Sequence, residues 1–197
     1  MARVTEVSRK TKETDILIHL NLDGNGNATL VYPIGFMNHM LNTFARHGLF
    51  DLEIQASGDL DVDQHHLVED TGLVLGQCFA KALGERKGIV RVGSCLFPMD
   101  ETLARAVVDI SGRPFLVYEV FFSQETSGFQ FDVIEDFWQA FVSGADVTLH
   151  LDIIRGRSNH HKAEAIFKAA ARSLGQACKI DNRAADLIPS TKGILVC

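Results

Sequence analysis

Two histidine doublets carry the side chains in this sequence that are best suited to metal chemistry. HHLVE at 65–69 and HHKAE at 160–164 both read HHxxE, and they lie about half the chain length apart in a protein of 197 residues. Half of the 8 histidines stand in these two segments. A single HHxxE is most often a surface or capping feature, but its repetition favours a metal site.

Helix geometry limits what each doublet can bind. Residues i and i+4 lie on one helix face, whereas neighbours diverge by about 100°. The first His and the Glu of each segment can therefore share one ligand, while the second His points elsewhere. Imidazole and carboxylate donors suit a divalent cation such as Mn, Fe, Co, Ni or Zn. Two segments predict two sites, each using the His/Glu pair of one and the second His of the other.

The repeat also predicts the remaining ligands. Overlaying FMNHMLNTF on VIEDFWQAF places His39 opposite Asp136. The alternatives are a solvent-facing helix histidine and an ordinary surface acid. The predicted ligands of one ion are His39, His66, His160 and Glu164, and those of the other are His65, Glu69, His161 and Asp136.

Several cationic and hydroxyl side chains suit an anionic substrate. Lys168 follows Glu164 by one helical turn. The PSTKG segment at 189–193 offers hydroxyls, an ammonium group and glycine-flanked backbone, which suit a phosphate, although such a segment is most often a simple turn. Arg91 and Arg113 lie at matching strand starts of the two halves and are either anion ligands or solvated arginines.

Composition bounds the class of protein. Hydrophobic residues make up 46% and charged residues 22%, as in ordinary globular proteins. The net charge of −6 argues against a general binder of nucleic acid or anionic membrane. No apolar run is long enough to span a bilayer, and the N-terminus lacks a secretory signal. The four cysteines, Cys78, Cys95, Cys178 and Cys197, form no CxxC pair, which predicts a reducing cytoplasm without disulfides.

Hydrophobic patterning predicts the same order of elements twice, namely three strands, a helix, a strand and a helix. Strands at 15–22 and 28–34 flank a turn signal at 23–26, which predicts a β-hairpin. Helices are expected at 36–47, 65–83, 131–143 and from His160 to about 178. We expect one α+β domain over 1–197, made of repeats at about 1–86 and 87–180 and a tail at 181–197.

Taken together, these segments resemble the imidazoleglycerol-phosphate dehydratase family over nearly the whole chain. The segments that carry the resemblance are RKTKET at 9–14, GFMNHML at 35–41, ARHGLFDL at 45–52, GDLDVDQHHLVEDTG at 58–72, PMDETLARAVVDISGRP at 98–114, TLHLDIIRGRSNHHKAEAIFKAAARSL at 148–174 and PSTKG at 189–193.

The resemblance implies a duplicated α+β fold of two four-stranded sheets, each backed by two helices, as in the ribosomal protein S5 domain 2-like fold. It also implies two Mn²⁺ ions per active site, sites between subunits, and a homo-oligomer of 24 chains. The same metal ligands match, except that Asp136 stands where some relatives have His. Matching substrate positions are Glu13, Arg91, Arg113, Lys168, Ser190 and Lys192, and we include the neighbouring Thr191.

The reaction implied is the dehydration of D-erythro-imidazole-glycerol phosphate to imidazole-acetol phosphate in histidine biosynthesis. We expect a metal-bound imidazolate to expel the hydroxyl, giving a diazafulvene-like intermediate, with Glu13, Glu69 or Glu164 moving protons. Two other classes stay open. A dinuclear phosphate-ester hydrolase would release phosphate, and a metal-storage protein would assemble without turnover.

Overall fold

The structure is a computed structural model that describes residues 3–123 and 128–195. The two halves have the same order of elements. The first half consists of β1 (Val4–Lys10), β2 (Thr14–Asn21), β3 (Ala28–Val31), α1 (Gly35–Gly48), β4 (Asp51–Gly58) and α2 (His65–Leu83). The second consists of β5 (Val92–Met99), β6 (Thr102–Asp109), β7 (Phe115–Glu119), α3 (Val133–Ala145), β8 (Thr148–Arg155) and α4 (Asn159–Cys178). This order confirms the predicted α+β repetition.

Each half contributes one mixed four-stranded sheet, with strand orders β1-β2-β4-β3 and β5-β6-β8-β7. The predicted hairpin between β2 and β3 is wrong, because β4 lies between them, antiparallel to β2 and parallel to β3. The turn at 23–26 is instead held at the start of β4, where Asp51 Oδ1 accepts hydrogen bonds from the backbone nitrogens of Asn25 and Asn27 at 2.9 and 3.0 Å. Strand β2 makes its hairpin with β1.

The helices pack across the two halves. Helix α2 covers β1, β2 and β4 and contacts α3, whereas α4 covers β5, β6 and β8 and contacts α1. The first helix of each half therefore lies against the second helix of the other. This exchange places α1, with His39, beside one HHxxE segment and α3, with Asp136, beside the other.

Glycines allow α2 and α3 to approach closely. A Cβ atom at Gly72 would lie 2.2 Å from the Phe137 carbonyl oxygen, and one at Gly76 would lie 2.3 Å from that of Phe141. Both glycines share the helix face of His65. The sequence left open whether a ligand or another backbone fills this space, and the structure shows that the backbone of α3 does.

The halves share one core. Aromatic side chains from three helices meet there: Phe44 on α1, Phe79 on α2, and Trp138 and Phe141 on α3, all at most 1% exposed. The Phe79 and Phe141 ring centroids lie 5.3 Å apart. Cys78 and Cys178 are buried free thiols, while Cys197 lies outside the described residues. Over residues 3–123 and 128–195, none of the helices has the length and apolar character required to span a bilayer.

Candidate metal centre

The first group of metal-type donors forms where α1 meets α4. The Oε2 atom of Glu164 lies 3.1 Å from His160 Nε2 and 3.4 Å from His39 Nε2. The donor atoms of these three residues all lie within 4.8 Å of one another. Glu164 is 8% exposed, so its carboxylate faces the two rings from the interior.

These separations fit a shared cation. With metal–ligand bonds of about 2.0–2.2 Å, two donors on one ion are separated by about 3–4.4 Å. Both distances to the Glu164 oxygen fall in this range. Across residues 3–123 and 128–195, no other set of three His, Cys, Asp or Glu residues meets the same spacing.

The second group forms where α2 meets α3. His65 Nδ1 lies 3.1 Å from Asp136 Oδ2, and His65 Nε2 lies 3.6 Å from Glu69 Oε2. One ring therefore faces both carboxylates through its two nitrogens. Asp136 on α3 faces one HHxxE segment and His39 on α1 faces the other, in keeping with the overlay of the two halves, but Asp136 contacts the histidine of its segment and His39 the glutamate. This group is more open than the first.

The second histidine of each doublet contacts a carboxylate of its own. His66 Nδ1 lies 3.1 Å from Asp59 Oδ2, and His161 Nδ1 lies 2.7 Å from Glu101 Oε2. Within a single chain, three of the four predicted ligands of each ion therefore lie together. His66 is missing from the first set, and His161 is missing from the second. A carboxylate on one ring nitrogen is typical of a histidine that ligates metal through the other.

Asp59 and Glu101 were not identified from the sequence. The repeat contains a signal for Glu101, because Glu13 directly precedes β2, which begins at Thr14, and Glu101 directly precedes β6, which begins at Thr102. Asp59 follows β4 directly, and nothing in the pattern distinguishes it from the other acids of its loop.

Hydrogen bonds and nearby charges set the protonation of these groups. The backbone N–H of Ser158 and the ring of His161 hold the pKa of Glu101 far below its usual range. The Asp59 carboxylate raises the pKa of His66, and Glu13 and Asp63 add to the effect. Burial alone would raise the pKa of Glu164, but Lys168 and His39 outweigh it and lower that pKa.

Lys168 closes the inner side of the first group. Its Nζ atom lies 2.8 Å from Glu164 Oε1 and 5.4 Å from the centroid of the Phe97 ring. The ammonium group therefore pairs with Oε1 of Glu164, whereas the two histidines face Oε2. It lies on the same helix face as the predicted ligand, as its spacing indicated.

The other cationic candidates gather around Asp109. Arg91 binds its carboxylate with two nitrogens, at 2.7 and 3.0 Å, and donates a third hydrogen bond to the Pro189 carbonyl at 2.7 Å. Arg113 lies 4.0 Å from the same carboxylate and is largely exposed. In the tail, Ser190 Oγ accepts the Lys192 backbone N–H at 3.2 Å. The structure thus brings together both arginines and the PSTKG segment.

This anion group and the first metal-type group lie at opposite ends of α4. The Arg91 backbone N–H donates to the carbonyl of Ala177, and Ala177 follows His160 along the helix by about 25 Å at 1.5 Å per residue. Strand β8 gives an independent estimate of the distance between the two groups. Arg113 contacts Thr148 at the start of this strand, and the end of the strand, roughly 20 Å away, leads to the start of α4.

Glu13 lies in the turn between β1 and β2. Its backbone carbonyl accepts the Asp59 N–H at 3.1 Å, which brings it into the electrostatic range of His66. The described residues offer its exposed carboxylate no hydrogen bond or ion pair.

Comparisons with known proteins agree on one family. The family model described as imidazoleglycerol-phosphate dehydratase matches residues 33–174. Proteins of that name from Paraburkholderia phytofirmans and Methylorubrum populi are 53% and 50% identical over 98% of this chain and 100% of their own length.

Two solved structures have the same fold. The crystal structure of imidazoleglycerol-phosphate dehydratase from Staphylococcus aureus matches with a TM-score of 0.82 and 40% identity, over 90% of this chain and 99% of the other. The Pyrococcus furiosus protein, in complex with (S)-C348, matches with a TM-score of 0.84 and 32% identity, over 96% and 100%.

Proposed function

Because this chain belongs to the imidazoleglycerol-phosphate dehydratase family, we infer that it dehydrates D-erythro-imidazole-glycerol phosphate to imidazole-acetol phosphate in histidine biosynthesis. The protein is a lyase. The single observation that carries the assignment is identity of about half over nearly the full length of proteins with this name. The described cluster of His39, His160 and Glu164 supports a metal-dependent reaction.

The proposed metal ligands come from both doublets and the helices that face them. The converging donors of the first group support one cation, and the matching place of His65, Glu69 and Asp136 in the other half of the repeat supports a second. We propose Mn²⁺ for both, with other divalent metals possible on donor chemistry. The proposed ligands are His39, His65, His66, Glu69, Asp136, His160, His161 and Glu164.

A divalent cation on a ring nitrogen of the substrate favours the imidazolate form of that ring. With such a cation held by the proposed ligands, electron release from the ring would break the bond to the neighbouring hydroxyl and would give a diazafulvene-like species. The proton on the adjacent carbon becomes acidic, and its loss gives an enol that converts to the ketone. The ring nitrogen would then regain the proton that it gave up, so that the hydroxide and the carbon-bound proton together account for one water, and the reaction needs no oxidant or reductant.

Of the three carboxylates proposed to move protons, Glu13 is the best placed. Glu164 is engaged by Lys168 and faces two histidines, while Glu69 faces His65. Among the described residues, the Glu13 carboxylate has neither a hydrogen bond nor an ion pair. A general base needs an accessible oxygen within reach of the substrate, which favours Glu13 as the group that collects the proton.

We propose that the substrate phosphate binds to Arg91, Arg113, Ser190, Thr191 and Lys192. A short phosphate ester cannot bridge the roughly 25 Å between the first metal-type group and Arg91 in one chain. The two groups therefore serve one active site only if they come from different copies of the chain. This separation supports active sites between subunits in a homo-oligomer, for which a 24-mer is our prediction, as is a cytoplasmic location. Lys168, beside Glu164, would contact the substrate at the metal end.

A direct assay tests the function. The purified protein with Mn²⁺ is incubated with imidazole-glycerol phosphate, while ultraviolet absorption follows the ketone product and a second assay follows inorganic phosphate. We expect ketone without phosphate release. Phosphate release would favour the hydrolase alternative, and assembly without either product would favour metal storage.

A further inference from the structure

Glu101 lies in the short turn between β5 and β6, and both of its carboxylate oxygens are engaged. The Oε1 atom accepts hydrogen bonds from the backbone nitrogens of Ser158 and Arg157 at 2.9 and 3.1 Å. The Thr102 hydroxyl donates to the same oxygen at 3.2 Å. These three donors fix the orientation of the carboxylate at the start of α4.

The remaining oxygen faces a histidine ring. Glu101 Oε2 lies 2.7 Å from His161 Nδ1, which is within hydrogen-bond distance. The other ring nitrogen, Nε2, lies 3.8 Å from Asp100 Oδ2, which is too long for a hydrogen bond. The ring is therefore held from one side, and Nε2 keeps its lone pair for another partner.

The first half of the chain repeats this geometry with a different residue. His66 Nδ1 contacts Asp59, which follows β4, rather than Glu13, the repeat counterpart of Glu101. A carboxylate thus contacts Nδ1 of the second histidine in both halves, but it comes from the end of β4 in the first half and from the β5–β6 turn in the second. In the first half the carboxylate of the turn glutamate has no hydrogen bond among the described residues, and in the second half both carboxylate oxygens are engaged.

We propose that Glu101 is a positioning residue that holds His161 as its Nδ1–H tautomer, with Nε2 presented to a divalent cation. The inference rests on the proposed function, because it takes His161 to be a metal ligand. Carboxylates behind metal-binding histidines fix the tautomer and orientation of the ring, and their loss typically lowers metal affinity about 10–100-fold.

The substitution Glu101→Gln separates positioning from folding. Its side-chain oxygen can still accept the two backbone N–H groups of the α4 start. Its amide nitrogen then faces His161 Nδ1 and must donate to it, which moves the ring proton to Nε2. The variant should fold and assemble normally while presenting the wrong nitrogen to the metal.

Asp100→Asn is the matched control. It removes one negative charge beside the same ring from the adjacent residue, without a hydrogen bond to lose. Asp100 has a φ of +48°, a conformation that Asn tolerates. A general loss of charge would affect both variants alike, whereas positioning predicts an effect of Glu101→Gln alone.

The measurement is Mn²⁺ binding to the full protein, by competition with a chelator and by electron paramagnetic resonance of the bound ion. We expect Glu101→Gln to weaken one class of site about 10–100-fold and Asp100→Asn to leave it within about threefold. Equal effects of the two variants, or no effect of Glu101→Gln, would overturn the proposal. His161→Ala shows which idea has failed, since unchanged Mn²⁺ binding there would remove the metal-ligand assignment itself.

A second measurement does not depend on whether the Gln variant folds. Solid-state ¹⁵N spectra of metal-free wild-type protein with labelled histidine report the tautomer of each neutral ring, and the His161 signals are assigned by their loss in His161→Gln. The proposal expects a protonated Nδ1 and a bare Nε2 for His161. The opposite tautomer would contradict it.

Discussion

The ammonium group of Lys168 lies 2.8 Å from Glu164 Oε1, one helical turn along α4, while Oε2 of the same carboxylate faces His39 and His160. One carboxylate therefore joins a cation of the protein to the donor atoms proposed to bind the metal. Burial opposes its ionisation, and Lys168 and His39 favour it more strongly. Glu164 is accordingly held as a carboxylate, the form that can ligate a cation.

Glu164→Gln tests this role. The amide is nearly the same size as the carboxylate but is neutral and a poorer metal ligand, so turnover should fall by at least about 100-fold while the fold is kept. Initial rates of ketone formation and circular dichroism give the two readouts. Glu53→Gln, on an exposed position of β4, is the control and should leave the rate unchanged. Near-normal turnover of Glu164→Gln would remove the assigned role.

A mixing experiment tests whether active sites lie between subunits. Glu164→Gln and Arg113→Ala should each be inactive alone, because each damages one of the two groups at opposite ends of α4. In co-expressed, randomly mixed oligomers, about a quarter of the sites should combine two undamaged groups. Recovery of about that fraction of wild-type activity is expected. If every site used one chain only, the mixture would stay as inactive as its parents.

The repeat allowed much of the fold to be predicted, because periodicity records which face of each element is buried. It predicted α2 and α4, and the overlay of His39 on Asp136 anticipated the contacts of both residues with the doublets. The strand order could not be predicted from periodicity. The position of β4 between β2 and β3 depends on how α1 packs and therefore on where the chain re-enters the sheet. Asp59 and Glu101 contact His66 and His161 only in the folded chain, and such tertiary contacts leave no periodic pattern in the sequence.

The α2–α3 contact should be sensitive to a single methyl group. Gly76→Ala would place Cβ 2.3 Å from the Phe141 carbonyl oxygen, so the helices must separate, at a cost of about 1–3 kcal/mol in the free energy of unfolding. Thermal unfolding measures the loss. Gly35→Ala, where an added Cβ meets nothing within 4 Å, is the control. Equal melting temperatures of the two variants would show that the close approach carries no stability.

The ion pair of Arg3, just before β1, should contribute stability that depends on pH. Arg3 Nε donates to Asp23 Oδ2 at 3.0 Å and lowers the pKa of that carboxyl group from its ordinary 3.8. A lowered folded pKa means that the contribution is present above pH 3.8 and is lost as the pH falls through the folded value. Because Asp23 is about half exposed, Arg3→Ala should cost about 1 kcal/mol or less near neutral pH. In denaturant titrations this difference should shrink below about pH 4, and a pH-independent difference would rule out the ion pair as its source.

The most direct measurement is a crystal structure of the assembled protein with Mn²⁺, in which anomalous scattering locates the ions. We expect one ion on His39, His160 and Glu164 and a second on His65, Glu69 and Asp136, with His66 and His161 supplied to complete the two sites. Ions bound elsewhere, with these side chains free of metal, would contradict the account that the duplicated HHxxE helices build the catalytic centre.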